Sequence, residues 1–336
     1  MKARAAVNLF RLHTAGWEIL VFLSGPLLVR SHRDYATWFV LALLAVMVNA
    51  FIFVLNDLAD LPRDRLDPSR RHSPLVSKAV NPATALALSV ALPICMWVII
   101  DIDDWSRSAS TAFALCVLLG AYLDVFQKTP KRIHPVILDL LFAAAMAAPI
   151  IVGIAAVREQ IPTSAWLLAA SFLGLCLALN SIGGNLKDID SDLKTGFRTV
   201  AIALGVRMAD HRIDFSRTYT GYTCVLSLVI AGSFVWTGID SATGAYRVVV
   251  VVVVSLLGIG CVANINSITS GRRQPSPNGR DRYFAYGMVA YLVILSARSD
   301  LVLLGVVVGV VVAWEVLFRL SWRYPAGQAP RVRAGD

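Results

Sequence analysis

The sequence predicts an all-α membrane protein whose helices cross the bilayer several times. Of its 336 residues, 57% are hydrophobic and only 16% are charged, and the mean hydropathy is +0.66. Soluble domains are nearer a quarter charged. Apolar runs of about 18 or more residues recur along the chain, and each is long enough to cross roughly 30 Å of hydrocarbon. No stretch between these runs is long enough for a soluble domain, so residues 1–336 are expected to form one membrane-embedded domain.

Ten apolar runs are candidate membrane spans. They cover residues 14–30, 36–56, 80–101, 108–126, 135–156, 163–184, 217–237, 245–266, 282–297 and 300–320. The last two are separated only by the segment 298–300, which is either a tight turn between two helices or an interruption in one longer element. The sequence therefore predicts a polytopic helical bundle of nine to ten spans.

Lysine and arginine residues fall mainly on one side of this predicted topology. With a cytoplasmic N-terminus, the cytoplasmic segments hold 25 of the 31 lysines and arginines. This bias follows the positive-inside rule, and it predicts a multi-pass protein of the inner (plasma) membrane with both termini in the cytoplasm. The net charge of +9 is then explained by loops that contact the inner leaflet, without a nucleic-acid partner.

The cysteines do not indicate a metal site or a disulfide framework. All five lie inside apolar runs, with no Cys-x-x-Cys pattern and no paired histidine. Cysteines in this setting are typical small buried apolar residues.

The loop after the second span, residues 56–78, begins with a cluster of acidic residues. If the helix of that span continues past Leu55, then Asp57, Asp60 and Asp64 lie on one helix face, and Asn56 borders it. Pro62 predicts that the helix bends or ends nearby.

A second polar block, residues 185–217, follows the sixth span on the same predicted side. Asp188 and Asp192 are four residues apart and share a helix face, whereas Asp190 points roughly the opposite way. The pair Gly183–Gly184 just before the block predicts a break or kink.

Together the two acidic clusters predict a site for Mg²⁺ and phosphate. Like charges at this spacing repel unless a cation lies between them, and an ionised carboxylate in lipid costs about 2.5–3.5 kcal/mol on insertion scales. Oxygen ligands without histidine or cysteine suit Mg²⁺, which leaves positions for substrate phosphates. Either loop alone would be read as a solvated, positively charged loop. The shared spacing in both loops favours a common site.

The two acidic motifs resemble those of the UbiA superfamily of intramembrane prenyltransferases. The first signature, Asn-Asp-x-x-Asp-x-x-x-Asp, is complete at residues 56–64, and the second, Asp-x-x-x-Asp, is complete at residues 188–192. Residues 10–14 are similar to the start of the family's first span, with Leu12 in place of a proline. The family usually has nine spans, so a tenth span is a departure from it.

The resemblance implies a helical bundle around a central cavity, with the mouth of the active site on the cytoplasmic side. It implies an Mg²⁺-dependent enzyme that transfers a prenyl group from a prenyl diphosphate to an aromatic or lipophilic acceptor. The expected partners are these two substrates and the lipid bilayer. The catalytic and metal-binding carboxylates would be those of Asp57, Asp60, Asp64, Asp188 and Asp192.

Seven further polar residues are candidates for substrate binding, and the sequence identifies no general base. The candidates are Asn49, Asn56, Arg71, Tyr122, Lys131, Lys187 and Arg198. The basic residues either contact the diphosphate or are ordinary positive-inside residues. Asn49 either lines the cavity or forms a hydrogen bond between helices. Tyr122 either orients an acceptor or belongs to the interfacial aromatic belt.

Three alternative functions remain open at this point. One is a terpene cyclase of the same superfamily, which ionises a prenyl diphosphate without an acceptor. Another is glycosyl or phosphoribosyl transfer to a polyprenyl phosphate. A membrane transporter is the alternative outside enzymes, but it predicts ionisable residues in the middle of spans and broken helices in two matching halves. Here the acidic motifs cluster at one membrane face.

Overall fold

The computed structural model describes residues 3–30, 35–65, 70–126, 133–157, 160–209, 212–269 and 282–322. The long helices in these ranges are α2 (Ala15–Leu28), α3 (Tyr35–Asp64), α4 (Pro82–Ile102), α5 (Arg107–Phe126), α6 (Pro135–Ala156), α7 (Thr163–Ala178), α11 (Arg217–Ser241), α12 (Gly244–Thr269), α13 (Arg282–Arg298) and α14 (Leu301–Trp322). They fall at the positions of the predicted spans. Seven helices in the described part of the chain are long and apolar enough to cross a membrane. The chain is therefore a multi-pass α-helical membrane protein, as predicted.

Short elements connect these helices near the acidic motifs. They are α1 (Ala3–Leu9), a 3₁₀ turn (Leu12–Thr14), a π-helical turn (Leu179–Gly184), α8 (Asn185–Lys187), α9 (Ile189–Thr195), α10 (Val200–Ala203), β1 (Arg207–Ala209) and β2 (Arg212–Asp214). The two strands pair antiparallel as a small hairpin, with Met208 opposite Ile213. This hairpin was not among the elements predicted from the sequence.

Two of the long helices, α4 and α6, begin at a capping residue followed by proline. Asn81 caps α4 by accepting a hydrogen bond from the backbone N–H of Ala83 at 2.9 Å, and Pro82 occupies the first helical position. His134 and Pro135 form the same arrangement at the start of α6. Proline lacks the N–H that would be unpaired at this position, so the loops end and the helices begin where these pairs occur.

Apolar side chains on the outer faces of the bundle are exposed. On α4, Leu86, Val90, Ile94 and Trp97 are each more than half exposed and recur every three or four residues. This spacing places them on one helix face. Such an apolar stripe faces lipid in a membrane protein, where hydrocarbon replaces water as the solvent.

Helices α2, α3, α5 and α6 surround the middle of the bundle. α3 packs against both α2 and α5, and α6 also packs against both. Helices α2 and α5 therefore face each other across the interior, where the rings of Phe22 and Phe113 lie 6.3 Å apart. On the other side of α2, Gly25 and Gly153 allow the backbones of α2 and α6 to come into close contact.

The last two long helices are separate elements joined by a tight turn. The backbone N–H of Ser299 still bonds to the carbonyl of Leu295, and the Asp300 side chain then caps α14 by accepting from the N–H of Val302 at 2.8 Å. Helix α14 packs on α2, where Gly16 lies against Val311. The segment 298–300 is thus a turn between two helices, one of the two possibilities that the sequence left open.

Candidate active site

The first acidic motif lies on the last turns of α3. The helix continues through Pro62 and ends at Asp64, so Asp57, Asp60 and Asp64 are all helical. Proline lacks a backbone N–H and disfavours helix at the preceding residue. The helix nevertheless runs two residues past Pro62 before it ends. Asn56 donates from Nδ2 to Oδ2 of Asp60 at 3.5 Å, one turn along the same face.

Arg11 binds the first carboxylate of this motif. Its Nη2 lies 2.8 Å from Oδ1 of Asp57, and its guanidinium stacks over the ring of Phe53 at 4.4 Å. The Arg11 backbone is left-handed, with φ 45° and ψ 45°, a conformation that is uncommon outside glycine. The Thr14 hydroxyl donates to the carbonyl of Arg11 at 2.8 Å and helps to hold this turn.

Asn49 connects the N-terminal segment to α3. Its side chain is buried, and its Nδ2 donates to the carbonyl of Phe10 at 2.9 Å. Its Oδ1 lies 3.0 Å from the Thr14 hydroxyl, which shares its one proton between this oxygen and the carbonyl of Arg11. These bonds fix the turn that carries Arg11. In this structure the amide of Asn49 therefore bonds between segments, which was the second of the two roles considered for it.

The loop after α3 carries two arginines close to the motif. Arg70 Nε lies 4.0 Å from Oδ1 of Asp64, a loose ion pair. Arg71 is exposed, and its Nε donates to Nε2 of His72 at 3.1 Å. Arg71 is thus free to reorient toward solvent or toward a ligand at the end of α3.

The second acidic motif follows the π-helical turn, which occurs where Gly183 and Gly184 predicted a break. Asp188 begins α9, and the N–H of Asp192 bonds to the carbonyl of Asp188 at 2.9 Å. Asp192 is buried, whereas Asp190 is exposed and pairs with Lys194 at 2.6 Å. The two motif carboxylates thus share one side of the helix and Asp190 points away, as the spacing predicts.

A cavity of about 180 Å³ lies beside the second motif. Its lining includes Asp139, Asn180, Asn185, Asp188, Asp192 and Arg198. Lys187 is exposed next to it, with Nζ 3.7 Å from the Asp188 carboxylate. Of the basic residues predicted to contact substrate, Arg198 therefore lines the cavity and Lys187 lies at its edge.

Asp139 is the main residue of this cavity that motif matching did not select. Its two carboxylate oxygens accept from Nδ2 of Asn180 at 2.9 Å and from the hydroxyl of Ser181 at 2.8 Å. Tyr219 donates to the carbonyl of Ser181 at 2.9 Å, and the hydroxyls of Ser181 and Tyr222 lie 3.0 Å apart. This network fixes the π-helical turn. The sequence signal that could have identified Asp139 is a carboxylate inside an apolar run.

Two other polar groups of the cavity lack a hydrogen bond. Within the described residues, neither Nδ2 of Asn185 nor the hydroxyl of Thr199 has a partner, although both atoms are buried. An unpaired buried polar group costs about 1–3 kcal/mol. A ligand rich in oxygen acceptors would satisfy both groups, which agrees with a cavity for phosphate.

Two predicted substrate-binding residues fall outside the described parts of the structure. Lys131 lies in the segment between α5 and α6 that is not described. Tyr122 lies in α5, but its side chain is not described.

The acidic groups fit Mg²⁺ as two separate pairs. Asp60 and Asp64 form one pair on α3, and Asp188 and Asp192 form the other at α9. Among the residues described, no group of three or more acidic, histidine or cysteine side chains comes together. Mg²⁺ is typically bound by one or two carboxylates and completes its octahedron with water and substrate phosphates. The donor chemistry therefore suits Mg²⁺ that binds together with a phosphate ligand.

Similarity to curated proteins extends over more than half of the chain. The sequence is 27% identical over 194 residues to a 4-hydroxybenzoate octaprenyltransferase of Acidovorax ebreus, covering 57% of this chain and 64% of that protein. It is 26% identical over 217 residues to the enzyme of the same name from Polaromonas naphthalenivorans, covering 64% of this chain and 70% of that protein. The first of these matches thus spans less than two thirds of the relative.

Solved structures share the fold across nearly the whole chain. A UbiA homologue from Archaeoglobus fulgidus bound to GPP and Mg²⁺ superposes with a TM-score of 0.61 at 16% identity, covering 94% of this chain and 99% of that one. A digeranylgeranylglyceryl phosphate synthase superposes with a TM-score of 0.65 at 14% identity, covering 91% and 98%. In sequence, residues 19–277 match the profile of a single family. The chain belongs to the UbiA prenyltransferase family.

Proposed function

We propose that this protein is an Mg²⁺-dependent intramembrane prenyltransferase that moves a prenyl group from a prenyl diphosphate to an aromatic acceptor. The observation that carries the proposal is the presence of two carboxylate pairs at the ends of membrane helices, one of them beside a polar cavity that has unpaired buried donors. Family membership supports the reaction class.

Asp60 and Asp64 on α3 and Asp188 and Asp192 at α9 would hold the metal. Mg²⁺, when bound, would neutralise the diphosphate and stabilise it as a leaving group. Asp57 is less suited to direct metal binding, because Arg11 already occupies its Oδ1. We assign Asp57 to the motif as the residue that holds Arg11, and through it the N-terminal segment, against α3.

Basic and amide groups around the second motif would bind the diphosphate oxygens. Arg198 lines the cavity, and Lys187 lies at its edge. Arginine can donate two parallel hydrogen bonds to one phosphate. Arg71 would contribute beside the first motif, where it would have to turn from His72 toward the end of α3. Lys131 remains a proposed diphosphate ligand on its sequence position alone.

The prenyl chain would extend from the mouth into the apolar interior between α2 and α5. The rings of Phe22 and Phe113 are buried against each other in this interior and would contact the chain. Apolar and aromatic walls suit an isoprenoid chain and exclude water from the allylic cation that forms when diphosphate leaves. Tyr122 on α5 remains the proposed contact for the acceptor.

The acceptor proposed first is 4-hydroxybenzoate, the substrate in the name of both curated relatives described above. The distribution of lysine and arginine supports an active-site mouth that opens to the cytoplasm, with both termini on that side of the inner membrane.

Product analysis with purified protein tests this proposal. The protein is incubated in nanodiscs with geranyl diphosphate, Mg²⁺ and 4-hydroxybenzoate, and products are identified by mass spectrometry. We expect geranylated 4-hydroxybenzoate together with one diphosphate per product, and neither in the presence of EDTA. A cyclic hydrocarbon or alcohol formed without acceptor would establish the cyclase instead. No diphosphate release with any of a panel of prenyl diphosphates and acceptors would contradict the proposal.

A further inference from the structure

Glu18 is a carboxylate within the membrane helix α2 that the proposed metal site does not use. It lies one turn into the helix and is partly buried. Acidic residues inside membrane helices are rare and usually functional, because an ionised group there costs several kcal/mol unless something compensates it. The sequence motifs gave it no role.

The Glu18 side chain is directed into the bundle toward α5. Phe22 lies one turn further along the same face of α2, and its ring packs against Phe113 of α5. Cys116, one turn from Phe113 on α5, and Cys176 on α7 both lie within electrostatic range of the Glu18 carboxylate. Helices α3 and α6 close the space on either side, since each packs against both α2 and α5.

The position of Glu18 along α2 is also suited to contact with a substrate that is bound at the mouth. Arg11, seven residues earlier, contacts Asp57 in the first motif at the mouth. Glu18 is the fourth residue of α2, which begins at Ala15, so it lies about 4.5 Å along the helix axis beyond the turn that carries Arg11. A prenyl diphosphate held at the mouth with its chain pointing inward would bring its reactive carbon between these two levels.

The carboxylate of Glu18 has no bonding partner among the residues that the structure describes. In the described ranges no hydrogen bond or ion pair involves it, whereas another interior carboxylate, that of Asp139, accepts from Asn180 and Ser181. A buried charge without partners is strongly unfavourable in the absence of a ligand. The Asp139 carboxylate therefore has a structural role, whereas the Glu18 carboxylate is available to a substrate.

We propose that Glu18 is the general base that removes the ring proton of the aromatic acceptor, an assignment that rests on the proposed prenyl transfer. The C1–O bond of the prenyl diphosphate breaks and diphosphate leaves with the electron pair. The acceptor ring carbon forms the new C–C bond to C1. The proton on that carbon then passes to the Glu18 carboxylate, which restores the aromatic ring, and Glu18 later releases the proton to water at the mouth.

This assignment supplies the group that the motifs lack. The carboxylates of the two motifs lie at the mouth, where they would hold Mg²⁺ and pair with cationic side chains. A base that contacts the acceptor must lie deeper, beside the reactive carbon. General base catalysis contributes typically about 10²–10⁴-fold to rate, so its loss is measurable.

The test compares Glu18→Gln and Glu18→Asp with the wild type, using geranyl diphosphate, Mg²⁺ and 4-hydroxybenzoate. For Glu18→Gln we expect kcat to fall at least about 100-fold, while the Kd of geranyl diphosphate stays within about threefold, and Glu18→Asp should recover part of the rate. With 4-hydroxybenzoate deuterated beside its hydroxyl, the residual rate of Glu18→Gln should show a primary isotope effect that the wild type lacks. A residue with only a structural role would not change that isotope effect.

Ser24→Ala is the matched control on the same helix. Ser24 is buried and bonds to Leu20 and Tyr291, away from the acceptor, and we expect its kcat to remain near wild type. A Glu18→Gln variant with wild-type kcat and no isotope effect would overturn the assignment alone. A variant that loses geranyl diphosphate binding in parallel with kcat would also overturn it. A wild type that forms no prenylated product would overturn the proposed function and this assignment together.

Labelling with dicyclohexylcarbodiimide tests the position of Glu18 without relying on activity. This apolar reagent couples to protonated carboxyl groups that it reaches from the membrane interior. We expect the adduct on Glu18 by peptide mapping, and protection by geranyl diphosphate with Mg²⁺. Absence of the adduct from folded protein would contradict a carboxyl group that faces the substrate space.

Discussion

The guanidinium of Arg11 lies 2.8 Å from the carboxylate of Asp57, a contact that joins the N-terminal segment to the last turns of α3 across 46 residues of sequence. The pair is largely buried, with side-chain exposures of 28% and 11%. It fixes the position of the first acidic motif relative to α2, and α2 carries Glu18. The two proposed parts of the site, metal and base, are thus connected by one ion pair.

Replacing Arg11 by alanine should destabilise the protein by about 1–3 kcal/mol, because Asp57 loses its charged donor and stays mostly buried. Thermal unfolding in detergent measures the effect. Lys194→Ala, which removes the exposed pair with Asp190, should change stability by no more than about 0.5 kcal/mol. If Arg11→Ala lowers the stability of the protein no more than Lys194→Ala does, the Arg11–Asp57 pair does not stabilise the fold.

The Asp139 network predicts a larger structural effect. Asp139→Ala leaves the donors of Asn180 and Ser181 without their acceptor in a buried setting, and we expect a loss of about 2–4 kcal/mol. Asp190→Ala serves as control, because that carboxylate is exposed and pairs only with Lys194 among the described residues. Unfolding curves that coincide for Asp139→Ala and wild type would show that the π-helical turn is held by other contacts.

The crossing of α2 and α6 depends on two glycines. An added Cβ at Gly25 would lie 2.2 Å from the carbonyl oxygen of Ile150, and one at Gly153 would lie 2.3 Å from that of Phe22. Since backbone atoms cannot move aside cheaply, Gly25→Ala should destabilise by at least about 1–3 kcal/mol. Gly305→Ala on α14, where nothing lies within 4 Å, should be neutral. Monodisperse yield and unfolding midpoint after purification compare the two, and a neutral Gly25→Ala would refute the close crossing.

Hydropathy and motif spacing predicted the helices and both acidic motifs because these are local properties of the sequence. A run of apolar residues determines its own helix in a membrane, and four-residue spacing determines which carboxylates share a face. The continuation of α3 through Pro62 was less predictable. Proline inside a helix usually bends or ends it, but α3 continues past Pro62 and ends at Asp64.

Contacts between distant segments could not be predicted in this way. Arg11 meets Asp57, and Asp139 meets Asn180, only because α2, α3, α6 and α7 pack in one particular order. The same limit applies to Glu18. Its position in an apolar run is a local feature of the sequence, but its direction toward α5 follows from the packing of Phe22 on Phe113.

The central claim is that both carboxylate pairs bind one prenyl diphosphate through Mg²⁺, and its most direct test is the affinity for geranyl diphosphate with and without Mg²⁺. Isothermal titration compares the wild type with Asp60→Asn, Asp188→Asn and the control Asp190→Asn, whose carboxylate pairs with Lys194 instead. We predict Mg²⁺-dependent binding that falls at least about 10-fold in each motif variant and is unchanged in Asp190→Asn. Affinity that is independent of Mg²⁺, or that survives in either motif variant, would contradict the account.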